Sequence, residues 1–413
     1  MIDWGARAEI LLNKLAACSE PGPGVTRLPF TPEHRAAIDL LKTHMEALGL
    51  SVALDDAGTL IGRFEGPLGS KTLMMGSHQD SVREGGAYDG IMGVVLPIIA
   101  LAKLRSERID LPFSVEVLAF ADEEGVRFPT ALIGSRALAG TFDASVLSMK
   151  DSQGIPLRDA MAAFGLNPER IGTLARAPGD VIGFVETHIE QGPVLEQEAE
   201  ALGVVTAICG IERHQIEVLG ETGHAGTLPM TGRRDALVGA AAIVSEVDRL
   251  GQSTLDLRAT VGAFDVEPNV VNAVPRRARM TAEFRSPDDK TRCDAGITLH
   301  RFIQEQALQR NLTINVQKTY SQVAQPCDVD LSRRLAHAAN EVGAQGLALP
   351  SGATHDASAM ADLCPIAMLF LRCREGVSHK PEEFSSADDM GLAISALAGF
   401  LASIERQSDL ADD

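Results

Sequence analysis

Histidines and carboxylates recur in this chain just after short apolar runs, and their types set the chemistry open to them. Residues 71–75 lead through Gly76-Ser77 to His78 and Asp80, and a glycine-rich loop then brings Tyr88-Asp89-Gly90. Ser114 to Phe120 is followed by Asp122-Glu123-Glu124, Val181 to Val185 by His188, Glu190 and Gln191, and Ile366 to Leu371 by a loop with His379. Imidazole and carboxylate ligands without thiolate suit a hydrolytic Zn, Mn, Co or Ni site. Two ions about 3.5–4 Å apart need a shared oxygen, for which Asp89 is the candidate. One of the adjacent glutamates then binds metal while the other serves as general base, and Asp80 orients the His78 ring. Each piece also has a plain reading: a polar loop, a solvated acidic turn, a satisfied histidine near a strand end. Three histidines placed alike after buried runs favour the joint reading. No HExxH, GxSxG, phosphate-binding loop or dinucleotide fingerprint competes with it.

The elements that must position these residues follow from periodicity. Thr31-Pro32 reads as an N-cap with proline at the first helical position, and Ile38, Leu41, Met45 and Leu48 recur at helical spacing. Strands are expected at 51–54 and 59–64 around the turn Asp55-Asp56-Ala57-Gly58, then at 71–75. A helix is expected over 91–105, with Pro97 predicting a kink or a late start. Residues 141–180 show only helix and loop character. From about 210 the pattern changes. His214 to Gly220, Thr260 to Phe264, 276–285 and 312–318 read as strands, and Arg234 to Leu250 and 289–309 as helices. In RRARMTAEFR (276–285), Ala278, Met280, Ala282 and Phe284 alternate with Arg277, Arg279, Thr281, Glu283 and Arg285, the pattern of a half-buried strand. Beyond 325 a helix near 329–342, the 366–371 strand and a helix from Ser386 return to the earlier character. The expected fold is α/β: a catalytic domain with a central sheet (1–211 and 326–413) interrupted by an inserted α+β domain with an antiparallel sheet (212–325).

At 413 residues two domains are the default. A net charge of −19 argues against a nucleic-acid partner. No apolar run approaches the ~18 residues of a membrane span, and the N-terminus lacks a signal-peptide core. The six cysteines form no CxxC pair, which suits reduced thiols in a cytoplasmic protein.

GSHQDSVREGGAYDG, ADEEGVRF, GSRALAG, HIEQGPVLE, GHAGTLPM, RRDAL, NVVNAVP, EFRSPD, GATHDA and GVSHKPEE, running from about 76 to 383, resemble the hydantoinase/carbamoylase amidases. These are a branch of the dinuclear metallohydrolases that also includes aminoacylases and metal-dependent exopeptidases. The resemblance implies two divalent metal ions per subunit, Zn or Mn, with Co or Ni as alternatives. His78, Asp89 and His188 would hold one, and Asp89, Glu124 and His379 the other. It makes Glu123 the general base and places Asp80 behind His78. Gln191 would line the substrate pocket. His224 would stabilise the developing oxyanion, reaching in from the inserted domain of a partner subunit. Asn272 and Arg285 would bind the substrate carboxylate, a guanidinium matching it with two parallel hydrogen bonds.

The implied protein is a homodimer whose inserted domain dimerises. The implied reaction cleaves the ureido C–N bond of allantoate or an N-carbamoyl-L-amino acid, with β-ureidopropionate behind them, releasing ammonia and CO2. Alternatives on the same fold are an aminoacylase or dipeptidase-type amide hydrolase, or a catalytically silent binding homologue. Two departures stand out. Thr354 replaces a glycine common in GATHDA-type motifs, and the Arg372-Cys373 pair leans towards allantoate amidohydrolases.

Overall fold

The computed structural model describes residues 2–404. They form two compact units. The first comprises the chain up to Thr206, Cys327–Leu349 and the residues from Thr354 onward; the second comprises Ala207–Pro326 and Pro350–Ala353. The strands used below are β1 (Ser51–Leu54), β2 (Leu60–Phe64), β3 (Thr72–His78), β4 (Ser114–Phe120), β5 (Val181–Ile189), β6 (Leu202–Ile208), β7 (Gly210–Leu219), β8 (Arg258–Thr260), β9 (Phe264–Glu267), β10 (Arg277–Ser286), β11 (Thr313–Gln322) and β12 (Ile366–Leu371).

The first unit is built on a mixed sheet in the order β1-β2-β4-β3-β5-β12-β6. Its middle four strands are mutually parallel, and β2 and β6 flank them antiparallel. β3, β4 and β12 are buried along their whole length, as expected of parallel strands covered on both faces. Helices Trp4–Ala16, Ile91–Glu107 and Ala387–Ser403 share one apolar core with the sheet, through Leu11, Leu15, Val94, Ile98, Leu397 and Phe400 among others. Thr31 caps helix Pro32–Ala47, its side chain accepting from His34 N at 3.3 Å.

Two local expectations change. Helix Ile91–Glu107 starts at Ile91 and continues through Pro97. Twelve of its residues are buried, so tertiary packing outweighs the one backbone hydrogen bond that proline removes. The expected strand at 260–264 is instead two short strands, β8 and β9, both paired to β10. Between them the Ala263 carbonyl still accepts from the Thr281 N–H at 3.1 Å, but its own N–H goes to the Thr281 hydroxyl at 3.1 Å. β6 was not anticipated, although the apolar run 201–208 carries its signal.

The second unit has an antiparallel sheet, β11-β7-β10-β8, with β9 also beside β10. Helices Ala236–Ser253 and Asp289–Arg310 cover one face, sharing a core of Ile216, Val218, Ile243, Met280, Phe284 and Leu299. In β10 the alternation read from sequence holds: Ala278, Met280, Ala282 and Phe284 are buried, and Arg279, Glu283 and Arg285 lie on the other face. Among the described residues no helix is long and apolar enough to cross a membrane.

Candidate metal centre

β3, β4, β5 and β12 are parallel neighbours, so their carboxyl ends gather at one edge of the sheet, where open α/β folds place ligands. His78 is the last residue of β3 and His188 lies one before the end of β5. Both strands run further than the apolar pattern alone suggested. Glu123 and Glu124 follow β4, and His379 lies in the loop after β12. Asp89 stands just before helix Ile91–Glu107, and Gly90 makes its approach possible. Gly90 has φ 64°, and a Cβ there would lie 2.3 Å from Cε1 and Nδ1 of His78.

Asp89 is the centre of the cluster. Its Oδ1 lies 3.0 Å from His188 Nε2 and 3.6 Å from His78 Nε2, and its Oδ2 lies 3.2 Å from His379 Nε2. Glu124 Oε1 is 3.8 Å from the same His379 nitrogen. The other ring nitrogens are held from behind: His78 Nδ1 is 3.0 Å from the Asp80 carbonyl oxygen and His188 Nδ1 is 2.9 Å from that of Ile189. Each ring therefore carries its proton on Nδ1 and turns Nε2 towards Asp89, the arrangement a metal-binding imidazole needs. Asp80 thus orients His78 through its main chain; its carboxylate is 3.9 Å from Nδ1 and instead accepts the N–H groups of Glu123 and Glu124, at 3.1 and 3.3 Å.

Charge is crowded here. Burial and the carboxylates of Glu124, Asp356 and Asp80 hold Glu123 well above the usual carboxyl range, against the pull of His78. Burial, with Asp89 and Asp80, raises Glu124 to about 7, opposed by His78 and His379. Asp89 goes the other way: burial opposes its charge, but the rings of His188, His379 and His78 hold it well below the ordinary range. For His78, burial also opposes charge, yet Asp89 and the charges of Glu123 and Asp80 raise it well above the ordinary value. Buried carboxylates that repel one another and pull protons onto neighbouring imidazoles are what a divalent cation would neutralise.

The donor atoms fit such an ion. Three trios, His78/Asp89/His188, His78/Glu123/Glu124 and Asp89/Glu124/His379, each bring their ligand atoms within 4.8 Å of one another. Glu124 Oε1 is buried and accepts no hydrogen bond. An all nitrogen-and-oxygen set of this kind suits Zn or Mn, with Co and Ni also acceptable.

Further side chains crowd Asp89, one of them expected and the others not. Gln191, expected in a substrate pocket, donates from Nε2 to Asp89 Oδ2 at 3.1 Å and to Ser378 Oγ at 3.2 Å. Gln191 and His379 both adopt left-handed backbone, with φ 56° and 59°, which costs energy in residues other than glycine and clusters at functional sites. Ser378 and Glu383 also belong to the cluster. Glu383 stands in the motif GVSHKPEE, but nothing in its spacing says that it folds back onto Asp89. His355, from GATHDA, sets its ring edge-on to His188 with centroids 4.6 Å apart. The Arg372-Cys373 pair has a structural explanation: Arg372 makes two hydrogen bonds to Asp389 in the first turn of helix Ala387–Ser403, at 3.1 and 2.7 Å, and Cys373 is buried.

In the second unit, His224 and Asn272 stand on two segments joined by a short antiparallel bridge. His224 bridges to Ala273, the Ala225 N–H donates to the Asn272 carbonyl at 2.9 Å, and both side chains are exposed. Arg285 lies on the polar face of the sheet. Its Nε donates to Glu283 Oε1 at 2.8 Å and its Nη1 to the Gly352 carbonyl at 2.8 Å.

The chain is similar to known proteins over nearly its full length. The model of peptidase family M20/M25/M40 matches residues 74–403. An N-carbamoyl-L-amino acid amidohydrolase from Geobacillus stearothermophilus is 37% identical over 379 residues, 92% of this chain and 93% of that protein. An allantoate deiminase from Arabidopsis thaliana is 36% identical over 424 residues, 95% of this chain and 81% of that protein. Among solved structures, a hydantoinase/carbamoylase family amidase from Burkholderia multivorans superposes with a TM-score of 0.91 at 31% identity, covering 97% of both chains.

Proposed function

This chain belongs to peptidase family M20/M25/M40 and, within it, to the hydantoinase/carbamoylase amidases, hydrolases of carbon–nitrogen bonds other than peptide bonds; we propose that it cleaves the ureido C–N bond of an N-carbamoyl-L-amino acid or of allantoate. The observation that carries this reading is Asp89, with His188 and His78 on one oxygen and His379 on the other. A carboxylate so placed is suited to bridge two cations. In this reading His78, His188 and Asp89 hold one, and Asp89, Glu124 and His379 hold the other. When bound, the pair supplies Lewis acidity to the carbonyl and lowers the pKa of a water.

The chain's own residues do the rest. Glu123, whose main chain is fixed by Asp80, takes the proton of the attacking water on its carboxylate and returns it to the leaving nitrogen. His224 donates to the oxygen that gains charge in the tetrahedral state, acting from the partner of a homodimer joined through the second unit. Arg285 and Asn272 bind the substrate carboxylate, and Arg285 exchanges its bond to Glu283 for that ligand. Gln191 orients the ureido group beside Asp89.

The test is ammonia release by the Zn- or Mn-loaded protein from N-carbamoyl-L-amino acids, allantoate, β-ureidopropionate and N-acetyl amino acids, with amine release followed in parallel. Ammonia from a ureido substrate, abolished by a chelator, is the expected result. Amine without ammonia would make the protein a deacylase, and no turnover of any substrate would leave it a binding protein.

A further inference from the structure

Asp89 Oδ2, which the proposed reading turns towards a cation, also stands 3.2 Å from the Ser378 hydroxyl. That hydroxyl has a second carboxylate within reach, Glu383 Oε2 at 3.0 Å, while its own oxygen accepts from Gln191 Nε2 at 3.2 Å. A serine hydroxyl carries one proton, so the two carboxylates compete for it. Glu383 is buried, 4% exposed, and its other oxygen accepts the main-chain N–H groups of Tyr88 and Asp89, at 3.0 and 2.9 Å. One side chain therefore grips the loop that carries Asp89 and reaches the residue next to His379. The loop leaves room for it, since a Cβ on Gly86 would lie 2.1 Å from Glu383 Oε1.

We propose that Glu383 is a positioning residue of the metal centre: it fixes the main chain of Asp89 and accepts the hydrogen bond of the Ser378 hydroxyl, leaving Asp89 Oδ2 to face a divalent cation. This rests on the metal reading given above. The claim separates two groups that a purely structural role would not. In Glu383→Gln the amide oxygen still accepts from Tyr88 and Asp89, but the amide NH2 faces Ser378 and donates to it. The hydroxyl then turns its proton onto Asp89 and blocks the oxygen. Removing the hydroxyl should undo the damage.

The experiment measures Zn2+ affinity of the full chain, stripped of metal, by competition with a chromophoric chelator. Glu383→Gln should bind Zn2+ about 10–100-fold more weakly than wild type, as changes behind metal ligands do. Ser378→Ala should bind at least as tightly as wild type. The double variant should return to within about twofold of Ser378→Ala, the spread of non-interacting changes. Unchanged affinity in Glu383→Gln, or a double variant as weak as Glu383→Gln, would overturn the proposal. If Glu383→Gln does not fold, as judged by metal-free melting, Ser378→Ala decides alone: a tenfold loss there would show that Asp89 depends on the hydroxyl. Wild-type protein that binds no Zn2+ would end the metal reading itself, whereas binding with no effect of Glu383→Gln ends only this inference.

Discussion

The carboxylate of Asp80 accepts the main-chain N–H of Glu123 at 3.1 Å, and that of Glu124 at 3.3 Å. With its own carbonyl on His78 Nδ1, Asp80 ties the ends of two neighbouring strands to one point. Asp80→Ala leaves two N–H groups at the site without their acceptor. It is expected to lower both Zn2+ affinity and turnover by about 10–100-fold. Metal content after dialysis and kcat, measured on the same preparation, check this.

Gly90→Ala should be more damaging than its size suggests. The new methyl would overlap the His78 ring, and φ 64° with ψ −61° lies outside even the left-handed helical region, so alanine is strained there before any clash. His78 must move away from Asp89. Metal binding is expected to fall by at least about tenfold, with melting of the metal-free protein lowered only modestly. Retained affinity would show that His78 is not required as a ligand.

Glu123→Gln keeps the volume of the side chain and removes its ability to take a proton. Turnover should fall by roughly 10²–10⁴-fold, the usual contribution of a general base, while metal content stays at the wild-type level. A loss of metal together with activity would instead make Glu123 a ligand, as the trio with His78 and Glu124 allows.

Arg285→Ala should act on substrate binding. A charge-assisted hydrogen bond contributes about 1.5–3 kcal/mol, so kcat/KM is expected to fall roughly 10–150-fold, chiefly through KM. The same change should leave a neutral amide analogue of the substrate, lacking the carboxylate, nearly unaffected. Equal loss on both would place Arg285 outside the carboxylate site.

Stability should depend on pH through His34, which belongs to none of the ligand trios. Burial, reinforced by the charges of Arg27 and Arg35, lowers its pKa to about 3. Its Nδ1 accepts from the Phe30 N–H at 2.9 Å, and its ring stacks on Phe164. The folded ring stays neutral while the unfolded one gains a proton below about pH 6.5. Stability is thus fully present above that pH and is lost as pH falls from about 6.5 towards 3. The loss between pH 7.5 and pH 5 amounts to about 2 kcal/mol for this group. His34→Asn, though less stable at neutral pH, should show a correspondingly shallower decline in denaturant melts; an equal slope would assign the acid sensitivity elsewhere.

Sequence alone determined where the buried strands of the first unit begin and which ligand-type residues stand at or just beyond them, although β3 and β5 run on through their histidines. Apolar runs with a period of two or none, followed closely by His, Asp or Glu, are local signals. The topology of a parallel sheet then brings His78, Asp89, Glu124, His188 and His379 to one edge. The alternation in 276–285 likewise sorted buried from exposed residues without any knowledge of partners. Only the tertiary structure decided what surrounds Asp89. Glu383 reaches Asp89 from 294 positions away and Ser378 from 289, and no spacing rule links residues that far apart. The same holds for Arg372, whose ion pair with Asp389 at a helix end no local pattern announces. Local pattern fixes which backbone faces are buried, because burial follows chain geometry. Hydrogen-bond partners of buried polar groups follow from which segments meet, and that is settled only when the whole chain has packed.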